Sequence, residues 1–218
     1  MARPSIPLLS HRLIVETALE IIDSDGAAAL STRRLASRLG VSGPSLYHHF
    51  ATKDDILDAI SEHIAADVRC VRSATWQDVL REFAYAYREV MTAHPNAVEF
   101  MSFRPVRHRA ALGAYEWQLR ELTEKGWDLQ FAWEILLNLE QLVIGAALQA
   151  GGPELQLSDP ELREEFPLLA EAGDLGHMRP RADLAFMRTV DEMIAGIEER
   201  LRREPRPRAT NVKKTYRH

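Results

Sequence analysis

The stretch Ser31-Thr-Arg-Arg-Leu-Ala-Ser-Arg-Leu-Gly40-Val-Ser-Gly-Pro-Ser-Leu-Tyr-His-His-Phe50 decides the fold. It reads as two short helices joined by a tight glycine turn, a helix-turn-helix. Leu35, Ala36 and Leu39 share one face of the first helix. Gly40 occupies the turn, where a positive φ costs least. Ser42 is placed to cap the second helix by accepting hydrogen bonds from its free N–H groups, and Pro44 is tolerated in a first turn. Val41, Leu46 and Phe50 complete a small core, and a bulky side chain at Ala36 would push the crossing helices apart. Ser31, Thr32, Arg33, Gly43, Ser45, Tyr47, His48 and His49 remain outward. They are small, hydrogen-bonding or cationic groups of the kind that reads a DNA groove. The same pattern also fits an αα-hairpin in another all-α protein.

The chain has 218 residues, enough for one or two domains with a sizeable core. Its single cysteine, Cys70, excludes an intramolecular disulfide and a four-thiolate zinc site. The opening MARPSIPLLSHR has too short an apolar run for a signal peptide and no small-residue cleavage site. The apolar stretch Leu129 to Leu148 carries Glu134, Asn138, Glu140 and Gln141, which argues against a membrane span. A reducing cytoplasm is the expected compartment, with no membrane partner. The net charge of −5 looks wrong for a DNA binder. Its distribution removes the objection. Residues 1–53 carry six basic and four acidic side chains, and residues 202–218 carry seven basic and one acidic, so the acidic excess lies in the body between.

Nearly every other segment has helical spacing. Ser10 to Ser24 places Leu13, Ile14, Ala18, Leu19, Ile21 and Ile22 on one face and ends near Gly26. Thr52-Lys-Asp-Asp55 is a capping box that opens a long helix, Thr52 to about Val71, striped by Ile56, Leu57, Ile60, Ile64 and Val68. Thr75-Trp-Gln-Asp78 repeats the start signal, and His94-Pro95-Asn96 stops that helix. Arg104-Pro105 precedes a helix with Leu112, Tyr115, Leu119 and Leu122, ending at Gly126. From Asp128 to Gly151-Gly152-Pro153 the chain is apolar almost all round, so it needs covering on more than one face, with its own domain expected on one and a second copy of the chain on the other. Ser158-Asp159-Pro160 starts a short helix, and Ala172 to Pro180 reads as a loop. The last helix, about Arg181 to Arg203, spaces Met187, Val190, Ile194, Ile197 and Leu201 as a seam suited to another helix. The tail, 204–218, is Pro- and Arg-rich and reads as disordered, with added phosphate affinity as the alternative.

This arrangement resembles the TetR family of bacterial transcriptional repressors. The hallmark run is Gly40-Val41-Ser42, Leu46-Tyr47, Phe50, Lys53 and Leu57. Further on, Trp76-Gln77-Asp78, His94-Pro95, Arg104-Pro105, the helix end at Gly126 and the Gly145 helix resemble the ligand-binding domain of the tetracycline-repressor branch. The resemblance implies an all-α fold. A three-helix DNA-binding domain, 1–53, precedes a ligand-binding and dimerisation domain, 54–203, and the basic tail. It implies a homodimer paired through helices 128–150 and 181–203, reading palindromic double-stranded operator DNA and answering to a small-molecule effector. By position, DNA contact falls on Thr32, Arg33, Gly43, Pro44, Ser45, Tyr47, His48, His49 and Lys53. Arg33 is suited to a guanine edge or a phosphate, Tyr47 and Lys53 to phosphate.

Relatives in that branch hold a Mg²⁺–tetracycline chelate. The histidine before Arg-Pro falls here on Phe100 or Met101, an acid after the Gly145 segment on Gln149, and a histidine late in the fourth helix on Arg69. Such side chains cannot replace a hard-cation shell, so neither a metal nor a cofactor is expected. Phe83, Tyr87, Met91, Phe100, Met101, Phe103, Trp117, Trp133, Leu137, Gln141 and Ile144 lie on the helices that line the cavity in relatives. They suit a flat or bulky apolar molecule, though ordinary core packing explains the same residues. Arg69 and Arg104 are placed to clamp an anionic group, with a helix-end cap or surface ion pair as the alternative for Arg104. An all-α enzyme is the competing class. The chain has no His-x-x-x-His, no Glu-x-x-His and no glycine-rich phosphate loop, so the expectation is a regulator. A ligand-independent architectural DNA binder is a third reading, and promoter position decides repression against activation.

Overall fold

The structure, a computed structural model, describes residues 9–150, 159–176 and 179–203, and among them every regular element is helical. The N-terminal helix α1, His11–Asp25, starts on Ser10, whose Oγ accepts the Leu13 N–H at 3.2 Å. It ends at Gly26, where φ is +80°. A single 3-10 turn at Ala27–Ala29 leads into α2, Thr32–Leu39, capped by Ser31 Oγ on the Arg34 N–H. Gly40 takes the left-handed conformation, φ +67°, as the turn requires. The next helix, α3, is only Gly43–Tyr47, and α4 runs Lys53–Ala66 behind a complete Thr52/Asp55 capping box. That box satisfies two orphan amides, an arrangement worth about 1 kcal/mol. Ile14, Ile22, Leu35, Ala36, Leu46 and Ile60 are buried between these four helices.

The body follows as α5 Trp76–Ala93, α6 Pro95–Ser102, α7 Arg109–Glu124, α8 Leu129–Ala150, α9 Pro160–Glu165, α10 Pro167–Gly176 and α11 Arg179–Arg203. The α5 and α8 helices form its centre. Leu80, Ala84, Leu136, Leu139, Val143 and Ala147 are buried, continuous with the core of the N-terminal helices. By length and composition α8 is apolar enough to cross a membrane, yet one whole stripe of it lies inside this core. Its opposite face leaves Leu129, Trp133 and Leu148 exposed.

Three expectations need correcting. The fourth helix stops at Ala66 instead of about Val71; beyond it Val68 still packs against the core, while Asp67, Arg69, Cys70 and Val71 are exposed. Residues 172–176 belong to α10, and α11 begins at Arg179; a proline in a first turn loses no needed amide donor. The seam of α11 does meet another helix, α5, where Val190, Ile194 and Ile197 are buried with Phe186, while Met187 stays exposed. Arg88–Asp183, Arg81–Asp191 and Gln77–Glu198 pairs clamp that contact. Finally, Ser42 does not cap α3 through its side chain. Its Oγ shares a 2.7 Å hydrogen bond with Ser45 Oγ instead. The expected Gly151–Pro153 stop and the basic tail lie outside the described residues.

The N-terminal helices are riveted to the body. His94 Nδ1 lies 2.9 Å from Asp23 Oδ2, and Asn96 Nδ2 donates to the Asp23 carbonyl at 2.9 Å. These contacts fix the start of α6 to the end of α1. On the other side, Glu62 of α4 accepts the Ala110 N–H at 3.0 and 3.1 Å, satisfying an orphan amide of α7.

Candidate functional site

The first candidate surface is the outer face of α2 and α3. The two inner positions of α3's neighbourhood, Leu46 and Phe50, are buried, which forces Pro44, Tyr47 and His48 outward. Tyr47 is 56% exposed. Arg33 is exposed, and Lys53 stands half-buried at the first turn of α4. Neither pairs with a carboxylate among the described residues, whereas Arg34 is held by Asp25 and Arg38 by Glu20. The cations left uncommitted are therefore those the sequence pointed to. Thr32, Gly43 and Ser45 are half-buried at the same face. His49 is less free than expected. Its ring stands edge-on to His11 at 5.2 Å, so part of its surface is already covered.

The second candidate is a cavity of about 130 Å³ between α4, α5, α6, α7 and α8. Of the residues expected there, Phe83, Tyr87, Met91, Met101, Arg104 and Ile144 line it. The others do not, for reasons of helical direction. On α7 the cavity side carries Ala111, Ala114, Tyr115 and Gln118, which turns Trp117 away. On α8 it carries Glu140 and Ile144, which leaves Gln141 exposed, Leu137 half-buried beside the wall, and Trp133 against the far edge of Tyr115. Phe100 points off the α6 face that presents Val98 and Met101. Phe103 lies past the helix end and is 85% exposed. Arg69 follows the early end of α4 and faces solvent.

Arg104 is not a free anion clamp. Its Nε and Nη2 donate to Asp58 at 3.1 and 2.7 Å, and Nη1 donates to Asp54 at 3.1 Å. A planar guanidinium is suited to such a fork. It joins the cavity wall to the first two turns of α4, the helix that follows α3.

Three polar groups of the wall escaped the sequence reading. Gln118 is 0% exposed, and neither its Nε2 nor its Oε1 has a hydrogen-bond partner. Tyr115 donates its phenolic O–H to Glu140 Oε1 at 2.6 Å. Burial, and then the adjacent Glu140 carboxylate, push the Tyr87 and Tyr115 phenols well above the usual tyrosine value, so both remain O–H donors. The signal for Gln118 was a polar residue on the inward face of an amphipathic helix, three positions after Tyr115. That for Glu140 was one carboxylate in an apolar run.

An unpaired buried amide costs about 1–3 kcal/mol. Replacing Gln118 by the similarly sized Leu is therefore expected to stabilise the ligand-free protein, raising its urea midpoint. A lowered midpoint would show that Gln118 has a partner after all. For a chelated hard cation the donors do not fit. Phe100, Met101, Arg69 and Gln149 supply no carboxylate or imidazole at the positions the resemblance singles out, and no three His, Cys, Asp or Glu side chains converge among the described residues.

Residues 14–60 match the family model described as bacterial regulatory proteins, tetR family, and residues 72–201 match the tetracyclin repressor-like C-terminal domain. An HTH-type transcriptional regulator of Saccharopolyspora erythraea is 38% identical over 122 residues, which span 55% of this chain and 52% of that protein. Tetracycline repressor protein class G of Vibrio anguillarum is 30% identical over 205 residues, 87% of this chain and 94% of the repressor. Among solved structures, ActR of Streptomyces coelicolor in complex with (S)-DNPA superposes with a TM-score of 0.69 at 27% identity, covering 87% and 97% of the two chains.

Proposed function

The chain belongs to the tetR family of bacterial regulatory proteins, transcriptional regulators and not enzymes, and from that premise we propose how it works. It is a repressor that binds a palindromic operator as a homodimer in the cytoplasm. A small, largely apolar or aromatic effector other than Mg²⁺–tetracycline releases it. The observation that carries this reading is Arg104, which belongs to the cavity wall and grips Asp54 and Asp58 of α4.

The cavity volume of about 130 Å³ supports it further. An apolar void of about 150 Å³ holds benzene, whereas drug-sized ligands occupy about 300–1,000 Å³. A multi-ring effector must therefore part the helices. Ala65 at the end of α4 is in the wall, so α4 is one of the elements displaced. In a dimer the two α3 helices have to match successive major grooves about 34–36 Å apart. A small rotation of α4 spoils that match, and a coupling of about 1–3 kcal/mol changes occupancy roughly five- to 150-fold. The exposed apolar residues Leu129, Trp133 and Leu148 of α8, with Leu184 and Met187 of α11, supply a face for the second copy. Division into a reading head, 1–53, and a body, 54–203, remains part of the proposal.

The test is selection of bound duplexes from a random pool, each enriched site retested at two salt concentrations. A palindrome with half-sites one helical turn apart is the expected product. Uniform, salt-sensitive binding without enrichment would overturn the repressor reading and favour an architectural binder. On the selected site, Tyr47→Ala is expected to weaken cognate and scrambled DNA alike, about tenfold, because a phosphate contact positions without reading sequence. A loss confined to the cognate duplex would make Tyr47 a base reader.

A further inference from the structure

Within the cavity, Glu140 is the group that an apolar effector leaves without purpose. Its Oε1 accepts from Tyr115, but among the described residues no cation pairs with it. The cationic side chain nearest in the wall, Arg104, is already committed to Asp54 and Asp58. His108 also lines the cavity but makes no hydrogen bond to Glu140. Tyr115 and Tyr87 adjoin the carboxylate, and Phe83 lines the same cavity stacked on Tyr87 with centroids 5.3 Å apart. Deeper in the same wall the buried Gln118 amide has both its donor and its acceptor unmet.

A carboxylate without a cation, set among aromatic rings, is costly for a neutral ligand and favourable for a protonated amine. An N–H of the ammonium makes a charge-assisted bond to the carboxylate, and its positive charge is attracted to the ring faces. Gln118 then accepts or donates one further hydrogen bond from a polar substituent. We propose that the effector of this protein is an aralkyl amine, an aromatic ring system carrying a basic aliphatic nitrogen, its ammonium held by Glu140 and its rings by Phe83, Tyr87 and Tyr115. This rests on the reading of the cavity as the effector site. It narrows the effector from any apolar molecule to a cationic one.

The experiment compares benzylamine, an ammonium ion at neutral pH, with benzyl alcohol, which has the same ring and no charge. One ring suits the volume of the cavity. Ligand-observed NMR titration of the full-length protein without DNA gives both affinities. The amine is expected to bind at least about tenfold more tightly. Glu140→Gln, which keeps an acceptor for Tyr115, is expected to abolish that preference, bringing the affinities of amine and alcohol together. Tyr115→Phe frees the carboxylate and is expected to keep or enlarge it, which separates loss of charge from loss of folding. Equal affinities, or a preference that Glu140→Gln leaves intact, overturn the amine assignment and leave the cavity standing as an effector site. If neither compound binds, the cavity reading itself falls.

Discussion

Replacing Leu46 by Ala is expected to cost about 2–5 kcal/mol of unfolding free energy and to remove nearly all sequence-specific DNA binding. The size follows from how little holds α3 in place. The helix has five residues, too few to be stable alone, and Leu46 is its one buried side chain, at 1% exposure. Ser42, expected as a cap, gives its hydroxyl to Ser45 and satisfies no α3 amide through its side chain. Packing of Leu46 against Leu35, Ala36 and Phe50 therefore does the work that capping does in longer helices. Truncation leaves a void in a small core and frees Tyr47 and Pro44 from the positions proposed for DNA contact. Urea unfolding would give the stability and titration of the selected duplex the affinity. An unchanged midpoint together with unchanged cognate binding would mean that α3 is anchored elsewhere. Because the head and body share one continuous core, the loss is expected within a single transition.

How much of this was legible beforehand follows the physics of each element. The turn between α2 and α3 was readable because Gly40 needs its positive φ and Leu35, Leu46 and Phe50 have few places to go. The capping box at Thr52 and the N-cap at Thr75 were readable because the bonds are local in sequence. The cavity was only half readable. Helix membership predicted which elements surround it, but a wall residue is chosen by rotation about the helix axis, and neighbours differ by 100°. That is why Trp117 was expected in place of Gln118 and Gln141 in place of Glu140. The inward turn of the α11 seam was hidden for a related reason. Periodicity shows that a helix has a partner without saying which, and the Arg81–Asp191 and Arg88–Asp183 pairs that select α5 span about a hundred residues of sequence. The double role of Arg104 was open to the same doubt until Asp54 and Asp58 were seen beside it.

Arg104→Ala is expected to disconnect the cavity from the DNA face with little loss of stability. All three partners are partly exposed, with side-chain exposures of 24% for Arg104, 45% for Asp58 and 75% for Asp54. Water screens such a cluster, so its removal should cost about 1 kcal/mol or less. Its mechanical role is larger, since it is a rigid fork between the residue before Pro105 and the start of α4. In the wild-type protein an effector should weaken operator binding roughly five- to 150-fold. In Arg104→Ala that factor should fall below about threefold, while effector affinity without DNA stays nearly constant. Lysine at the same place keeps the charge but cannot form the fork, so Arg104→Lys should give an intermediate coupling. Reciprocity supplies an internal check, because saturating operator must weaken effector binding by the same factor in each variant. If Arg104→Ala releases from DNA as readily as the wild type, coupling runs through the other bond between α4 and the cavity wall, Glu62 on the Ala110 N–H. Glu62→Gln would then carry the effect, and the double variant would show whether the two connections act independently or as one.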